Sequence, residues 1–359
     1  MLSFYPGPSK IYNSLKKHFQ EAFQKGISGI NHRSQFFQDI YKNLDALLRA
    51  KLNVPSDYSI FFVSSATECW EIVSQSLVRF HASHIFNGDF GRKWFNYSRA
   101  LDSASEGFEF GLEDAPDVSK FEISFTTEAL CFVHCETSNS YLVNISSIEF
   151  FKKEYPQALI VVDATSSMGG INVDFRVGDV WFASLQKCFG MPAGMAVLIC
   201  SPNAINKCYL SKERIHYNSL VKIYENYKKW QTTHTPNVVY FYALMKLLEE
   251  LPTIDLVEKD TYRKYTLINS YLDELNFLHL IENPIYRSPT VITLKMNAEK
   301  AHNIKTELLS NGIIIGNGYG TWADETIRIA NFPAHEEEDF VYLFNLLKEC
   351  MVKNSALTK

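Results

Sequence analysis

Lys187, in Ser184-Leu185-Gln186-Lys187-Cys188-Phe189-Gly190, stands between two of the most apolar runs of the chain, VGDVWFA (177–183) and MPAGMAVLIC (191–200). Burial depresses a lysine's pKa, so a sheltered one can serve as a nucleophilic amine, whereas one on a surface turn does no chemistry. A carboxylate ends a third apolar run, Asp163 in LIVVDATSS. A charge there is costly unless paired, although a turn or a helix N-cap also uses aspartate. Two further polar points fall at run ends, Ser64-Ser65-Ala66-Thr67 and CETSN (135–139). The first passes from strand into helix, where backbone N–H groups and the helix dipole can cradle an anion, as at any such junction.

The elements that must position these groups alternate. YSIFFVSS (58–65) leads into ATECWEIVSQSLV (66–78), whose apolar residues recur at helical spacing. ASHIFNGDF (82–90) reads as a strand before the helical GRKWFNYSRALDSA (91–104), and ALCFVHCETS (129–138) as a strand running into a loop. Next come the helical SSIEFFKKEYP (146–156) and the strands ALIVVDATSS (158–167), DVWFASLQK (179–187) and GMAVLICS (194–201). Apolar strands separated by helices predict an α/β fold with a mainly parallel sheet covered on both faces. Ligands bind such sheets beyond the carboxyl ends of the strands. TTHTPNVVYFYALMKLLEELP (232–252) predicts a turn and a long helix. Beyond it, HLIENPIYRSPTVITLKM (279–296), a helix over 298–312, IIIGNGYG, TIRIANFP and a helix over 335–352 predict a small α+β domain.

Bulk properties exclude several classes. The net charge of -5 gives no reason to expect nucleic acid. No long uncharged apolar segment predicts a membrane span, and MLSFYPGPSK lacks a cationic region followed by an apolar one. The seven cysteines are odd in number and lack paired metal-site spacing, which predicts reduced thiols in a cytoplasmic protein without a metal.

Seven segments, in order, carry a family resemblance: FYPGPSK (4–10), INHRSQFF (30–37), SSATECWE (64–71), NGDFG (87–91), HCETSNS (134–140), VVDATSS with ASLQKCFG (161–190), and THTPNVV (233–239). In these the chain resembles the class V aminotransferases, pyridoxal-phosphate enzymes of fold type I, and most closely the phosphoserine aminotransferases. The resemblance implies a large cofactor-binding domain over 12–252, with 1–11 and 253–359 forming a small one. An aldehyde cofactor with a phosphate and a pyridine ring would use all four polar points at once.

The resemblance further implies Lys187 as the Schiff-base lysine and proton carrier, Asp163 as partner of the pyridinium nitrogen, Phe90 as the stacking ring and Thr137 as the contact to the ring hydroxyl. Ser65, Ala66 and Gln186 would bind the phosphate, joined by His234 and Thr235 from the second subunit of a homodimer. Arg328, in TIRIANFP, would clamp the substrate's α-carboxylate, with His32 and Arg33 near its distal group. Without the family context Arg328 reads as a strand-edge arginine, and His32 and Arg33 as a solvated helix start. Trp94 competes with Phe90 for stacking but reads as packing, and His134 as a satisfied core histidine. A desulfurase would have histidine where Gln186 precedes the lysine, and a nucleotide-binding protein would have a G-x-G-x-x-G turn after its first strand.

The expected reaction is reversible ping-pong transamination of phosphoserine and 2-oxoglutarate to 3-phosphohydroxypyruvate and glutamate, a step of serine biosynthesis. The alternative is a small amino acid:glyoxylate aminotransferase. Phosphoserine enzymes commonly carry a His-Arg pair shortly before the carboxylate arginine, whereas GNGYGTWADETIR (316–328) has no basic residue before Arg328.

Overall fold

The computed structural model describes residues 1–101, 104–211 and 216–357, and side chains as far as 351. The end of the 91–104 segment therefore lies partly outside the described residues. In chain order the strands are β1 (Leu2–Phe4), β2 (Ser59–Val63), β3 (Ala82–Phe86), β4 (Glu106–Glu109), β5 (Ala129–Val133), β6 (Cys135–Glu136), β7 (Tyr141–Leu142), β8 (Leu159–Asp163), β9 (Val180–Ser184), β10 (Ala196–Cys200), β11 (Leu278–His279), β12 (Val291–Lys295), β13 (Ile313–Asn317) and β14 (Thr326–Ala330). The helices are α1 (Leu15–Gln24), α2 (Gln35–Leu52), α3 (Ala66–Ser76), α4 (Asp89–Leu101), α5 (Ile145–Glu154), α6 (Pro202–Leu210), α7 (Leu220–Tyr227), α8 (Val238–Glu250), α9 (Ile254–Glu274), α10 (Ala298–Ser310) and α11 (Glu337–Leu357).

Seven strands form the larger sheet in the order β2-β10-β9-β8-β5-β3-β4, in which β10 alone runs antiparallel to its neighbours. Its central strands are unbroken apolar runs because alternate residues face opposite ways into two cores. Ile160, Val162, Trp181 and Ala183 pack with α2 and α8 on one face, while Leu159, Val161, Val180 and Phe182 pack with α3 and α4 on the other. The second sheet, β1-β13-β14-β12-β11, pairs the first residues of the chain with the C-terminal third, Leu2 opposite Ile313. Its own core lies under α9, α10 and α11.

The main departure from the sequence pattern is at 82–90. The strand stops at Phe86 and the chain is helical from Asp89, so Phe90 sits in a first helical turn. The cause is a remote cap: the buried Glu136 carboxylate accepts the backbone N–H of Gly91 at 3.1 Å and of Phe90 at 3.4 Å. Among the described residues no helix is long and apolar enough to cross a membrane.

Three fully buried histidines set an acid limit on this fold. Burial holds His84 at about 3 and both His134 and His335 at about 4, against 6.5 for a free imidazole. The unfolded chain takes up these protons below pH 6.5 and the folded chain does not. Stability is therefore complete above that pH and falls as the pH drops from 6.5 toward 4, by up to about 1.4 kcal/mol per histidine per pH unit. Urea midpoints measured across this range should decline with acidity, and His84→Phe should flatten the slope. An unchanged slope in that variant would remove His84 from the account.

Candidate active site

Strands β2, β3, β5, β8 and β9 run in one direction, so their carboxyl ends share one edge of the sheet. Asp163 ends β8, Lys187 follows β9 by three residues, Thr137 follows β6 just beyond β5, Phe90 is the second residue of the helix after β3, and Ala66 opens the helix after β2. The topology thus gathers groups spread over more than a hundred residues around a cavity of about 290 Å³. Ala66, Phe90, Thr137, Asp163, Gln186, Lys187 and Arg328 all line it.

Lys187 is 7 % exposed, and its Nζ donates to Thr137 Oγ1 at 2.8 Å and to Ser166 Oγ at 2.9 Å. Burial lowers the lysine's pKa, opposed in part by the charge of Asp163. Hydroxyl partners leave the neutral amine satisfied, which a carboxylate partner would not. Asp163 is 4 % exposed and burial raises its pKa. Two donors oppose that shift: Trp70 Nε1–H bonds Oδ2 and the Thr165 N–H bonds Oδ1, each at 3.0 Å. The carboxylate is thereby fixed at the cavity wall, with the amine across from it and the Phe90 ring centroid 5.2 Å from Nζ. A cationic heteroaromatic N–H fits this acceptor, and an aldehyde fits the amine.

At the α3 end, Ala66 N–H reaches Ser184 Oγ at 2.8 Å, while Thr67 and Gln186 complete the wall. Ser65 is outside the wall: its Oγ caps α3 by accepting Glu68 N–H at 3.1 Å. Helix dipole, N–H and hydroxyl groups fit a phosphate. The residues present therefore fit pyridoxal phosphate.

Arg328, on β14 and 2 % exposed, donates from Nε to Asn317 O at 2.7 Å and from Nη1 to Thr137 O at 2.9 Å. These bonds orient its guanidinium at the cavity. The N-terminal segment forms the facing wall with Tyr5, Pro6 and Gly7. Gly7 has φ +135, and a Cβ there would come 2.8 Å from Lys187 Cε, so only glycine lets this segment close over the lysine.

Besides Ser65, four expected residues are not brought to the cavity of their own chain. His32, Arg33, His234 and Thr235 lie outside its walls. Arg33 and Thr235 are exposed, and His32 is close enough to Arg33 and His234 for their charges to lower its pKa beside the larger effect of burial. Trp94 is packing, 1 % exposed and stacked on Trp70 with ring centroids 6.1 Å apart. His134 bonds Ser167 Oγ through Nδ1 at 2.8 Å, as a satisfied core residue. Sequence reading missed Trp70, Ser166 and Tyr319. Trp70 reads as one apolar position of an amphipathic helix, and Ser166 as one of two adjacent serines.

The fold and this site define a pyridoxal-phosphate-dependent aminotransferase of fold type I. The class-V aminotransferase family model matches residues 110–336, and the chain belongs to that family. It is 32% identical to a phosphoserine aminotransferase of known structure from Cytophaga hutchinsonii, with a TM-score of 0.91 and coverage of 97% of this chain and 98% of that one. The phosphoserine aminotransferase of Corynebacterium glutamicum is 26% identical over 345 residues, covering 93% of this chain and 90% of its own. The alanine–glyoxylate aminotransferase of Nostoc sp. shares the fold at 17% identity and a TM-score of 0.86, covering 98% and 95%.

Proposed function

We propose that the protein transaminates phosphoserine with 2-oxoglutarate, reversibly, giving 3-phosphohydroxypyruvate and glutamate in serine biosynthesis. The likeness to the Cytophaga phosphoserine enzyme, 32% identical over nearly the whole chain, carries this reading.

Bound pyridoxal phosphate supplies an electron-withdrawing ring and a carbonyl that accepts the amino group. Arg328 binds the α-carboxylate with its planar fork, which sets the α-C–H bond relative to Lys187. Lys187 Nζ, its pKa lowered by burial, takes the α-proton and returns it one step later as an acid. Asp163 would accept the ring N–H and Phe90 would support the ring plane, while Thr137 and Ser166 hold Nζ between transfers. Gln186 and Ala66 serve the phosphate end. His234 and Thr235 would complete it from a partner subunit, and His32 and Arg33 would reach the partner's substrate, which makes the working unit a homodimer. Residues 1–11 and 253–359 would act as the small domain, since β1 pairs with β13 and Arg328 sits on β14.

One observation favours a small amino acid:glyoxylate reaction instead: residues 316–327 contain no basic side chain. Steady-state comparison decides. Phosphoserine with 2-oxoglutarate should exceed alanine or serine with glyoxylate in kcat/KM by at least about tenfold, the value of one charge-assisted hydrogen bond. The reverse order overturns the assignment.

A further inference from the structure

The cavity wall holds two basic side chains, Lys187 and Arg328, and transamination engages both, one as the proton carrier and the other on the α-carboxylate. Beside the His32 and Arg33 that a second subunit would bring, a phosphate monoester at the far end of the substrate needs further positive charge or several donors. The structure offers a charge immediately behind the wall. Tyr319 lines the cavity, stacks on Phe90 with centroids 5.0 Å apart and planes 13° apart, and lies with its ring centroid 5.2 Å from Arg328 Cζ. Its hydroxyl is hydrogen-bonded by Lys93 Nζ, and that nitrogen is 4.7 Å from the Tyr319 centroid and 5.7 Å from that of Phe90.

Lys93 lies one helical turn after Phe90 on α4. Its neighbour Arg92 pairs with Glu109, whereas Lys93 forms no ion pair with a carboxylate among the described residues. The turn that follows Tyr319 is tied to α4. Thr321 N–H bonds Asp89 Oδ2 at 3.2 Å, and Gly320, at φ +54, lies so close that a Cβ would fall 2.0 Å from the Asp89 carboxyl. Asp89 is the opposing charge at this mouth, and the Thr321 N–H takes up part of its acceptor capacity.

We propose that Lys93, together with the Tyr319 hydroxyl, receives the substrate's distal phosphate and supplies the charge that the 316–327 segment lacks. This rests on the phosphoserine reading above. The site is built from an exposed lysine whose present acceptor is a neutral hydroxyl, so an arriving dianion improves its pairing. The phenol can donate to the same group. The two together would select a phosphorylated side chain over a neutral one, while Arg328 serves both.

The holoenzyme tests this with O-phosphoserine and serine as paired amino donors. Lys93→Gln should lower kcat/KM for O-phosphoserine by about 10- to 100-fold, mainly through KM, and serine should lose much less. Lys93→Arg should restore most of the preference, and Tyr319→Phe should lose part of it. Lys16→Gln, an exposed lysine remote from the cavity, should change neither. An unchanged O-phosphoserine KM in Lys93→Gln, or an equal loss on both donors, overturns the proposal. If the unsubstituted enzyme does not turn over O-phosphoserine, the phosphoserine reading itself fails. The two failures are thus told apart by which protein shows them.

Discussion

Lys187→Ala should lose transamination by at least about 10³-fold while keeping its fold. On the proposed roles, the variant lacks both the amine for the cofactor's carbonyl and the base for the α-proton. Borohydride reduction followed by peptide mass analysis should fix pyridoxal phosphate to Lys187 in the unsubstituted protein and to nothing in the variant. Structural loss should be small, because the amine sits among the hydroxyls of Thr137 and Ser166, which can bond each other at 2.6 Å. The lysine's depressed pKa adds a check on the cofactor-free protein. Between its folded pKa and 10.5, the unfolded chain binds a proton that the folded chain does not, so stability rises with pH in that window. Lys187→Ala should remove this rise. Retained turnover in the variant would end the assignment of Lys187.

The parts of this site that were legible in the sequence are those where a charge interrupts an apolar run. β8 and β9 are buried on both faces, so they read as continuous hydrophobic strands, and Asp163 and Lys187 stand out at their ends. Ala66 and Thr137 were found through the family segments around them. What stayed hidden depends on contacts distant in sequence. The start of α4 at Asp89 is set by Glu136, 45 residues beyond Gly91, so no local signal separates NGDF from the strand before it. Trp70 meets Asp163 across 93 residues and Lys93 meets Tyr319 across 226, and each looks ordinary in its own helix. His32, Arg33, His234 and Thr235 are a different case. They match family motifs, yet a single chain keeps them outside its own cavity. The N-terminal strand joining the C-terminal sheet was legible only through the family division of the chain, since three residues carry no pattern of their own.

Asp163→Asn should lower kcat by about 10²- to 10³-fold and weaken cofactor retention, the scale expected when one partner of a buried charge pair is neutralised. The geometry sets a further penalty. Both carboxylate oxygens accept N–H groups, from Trp70 and from Thr165, and an amide has only one acceptor oxygen. Its NH₂ must therefore face a donor on one side, so the substitution disturbs the wall as well as its charge. Trp70→Phe separates these effects, because it keeps the carboxylate and removes one donor. The Trp70 bond lowers the pKa of Asp163, so its loss raises that pKa. If Asp163 must be ionised for turnover, the acid limb of the kcat/KM profile should move to higher pH. At alkaline pH the Trp70→Phe enzyme should approach the unsubstituted rate, whereas Asp163→Asn should stay low at every pH. A Trp70→Phe profile that falls uniformly, without a shift of its acid limb, would make Trp70 a packing residue and leave Asp163 to be ionised by the cofactor's ring charge alone.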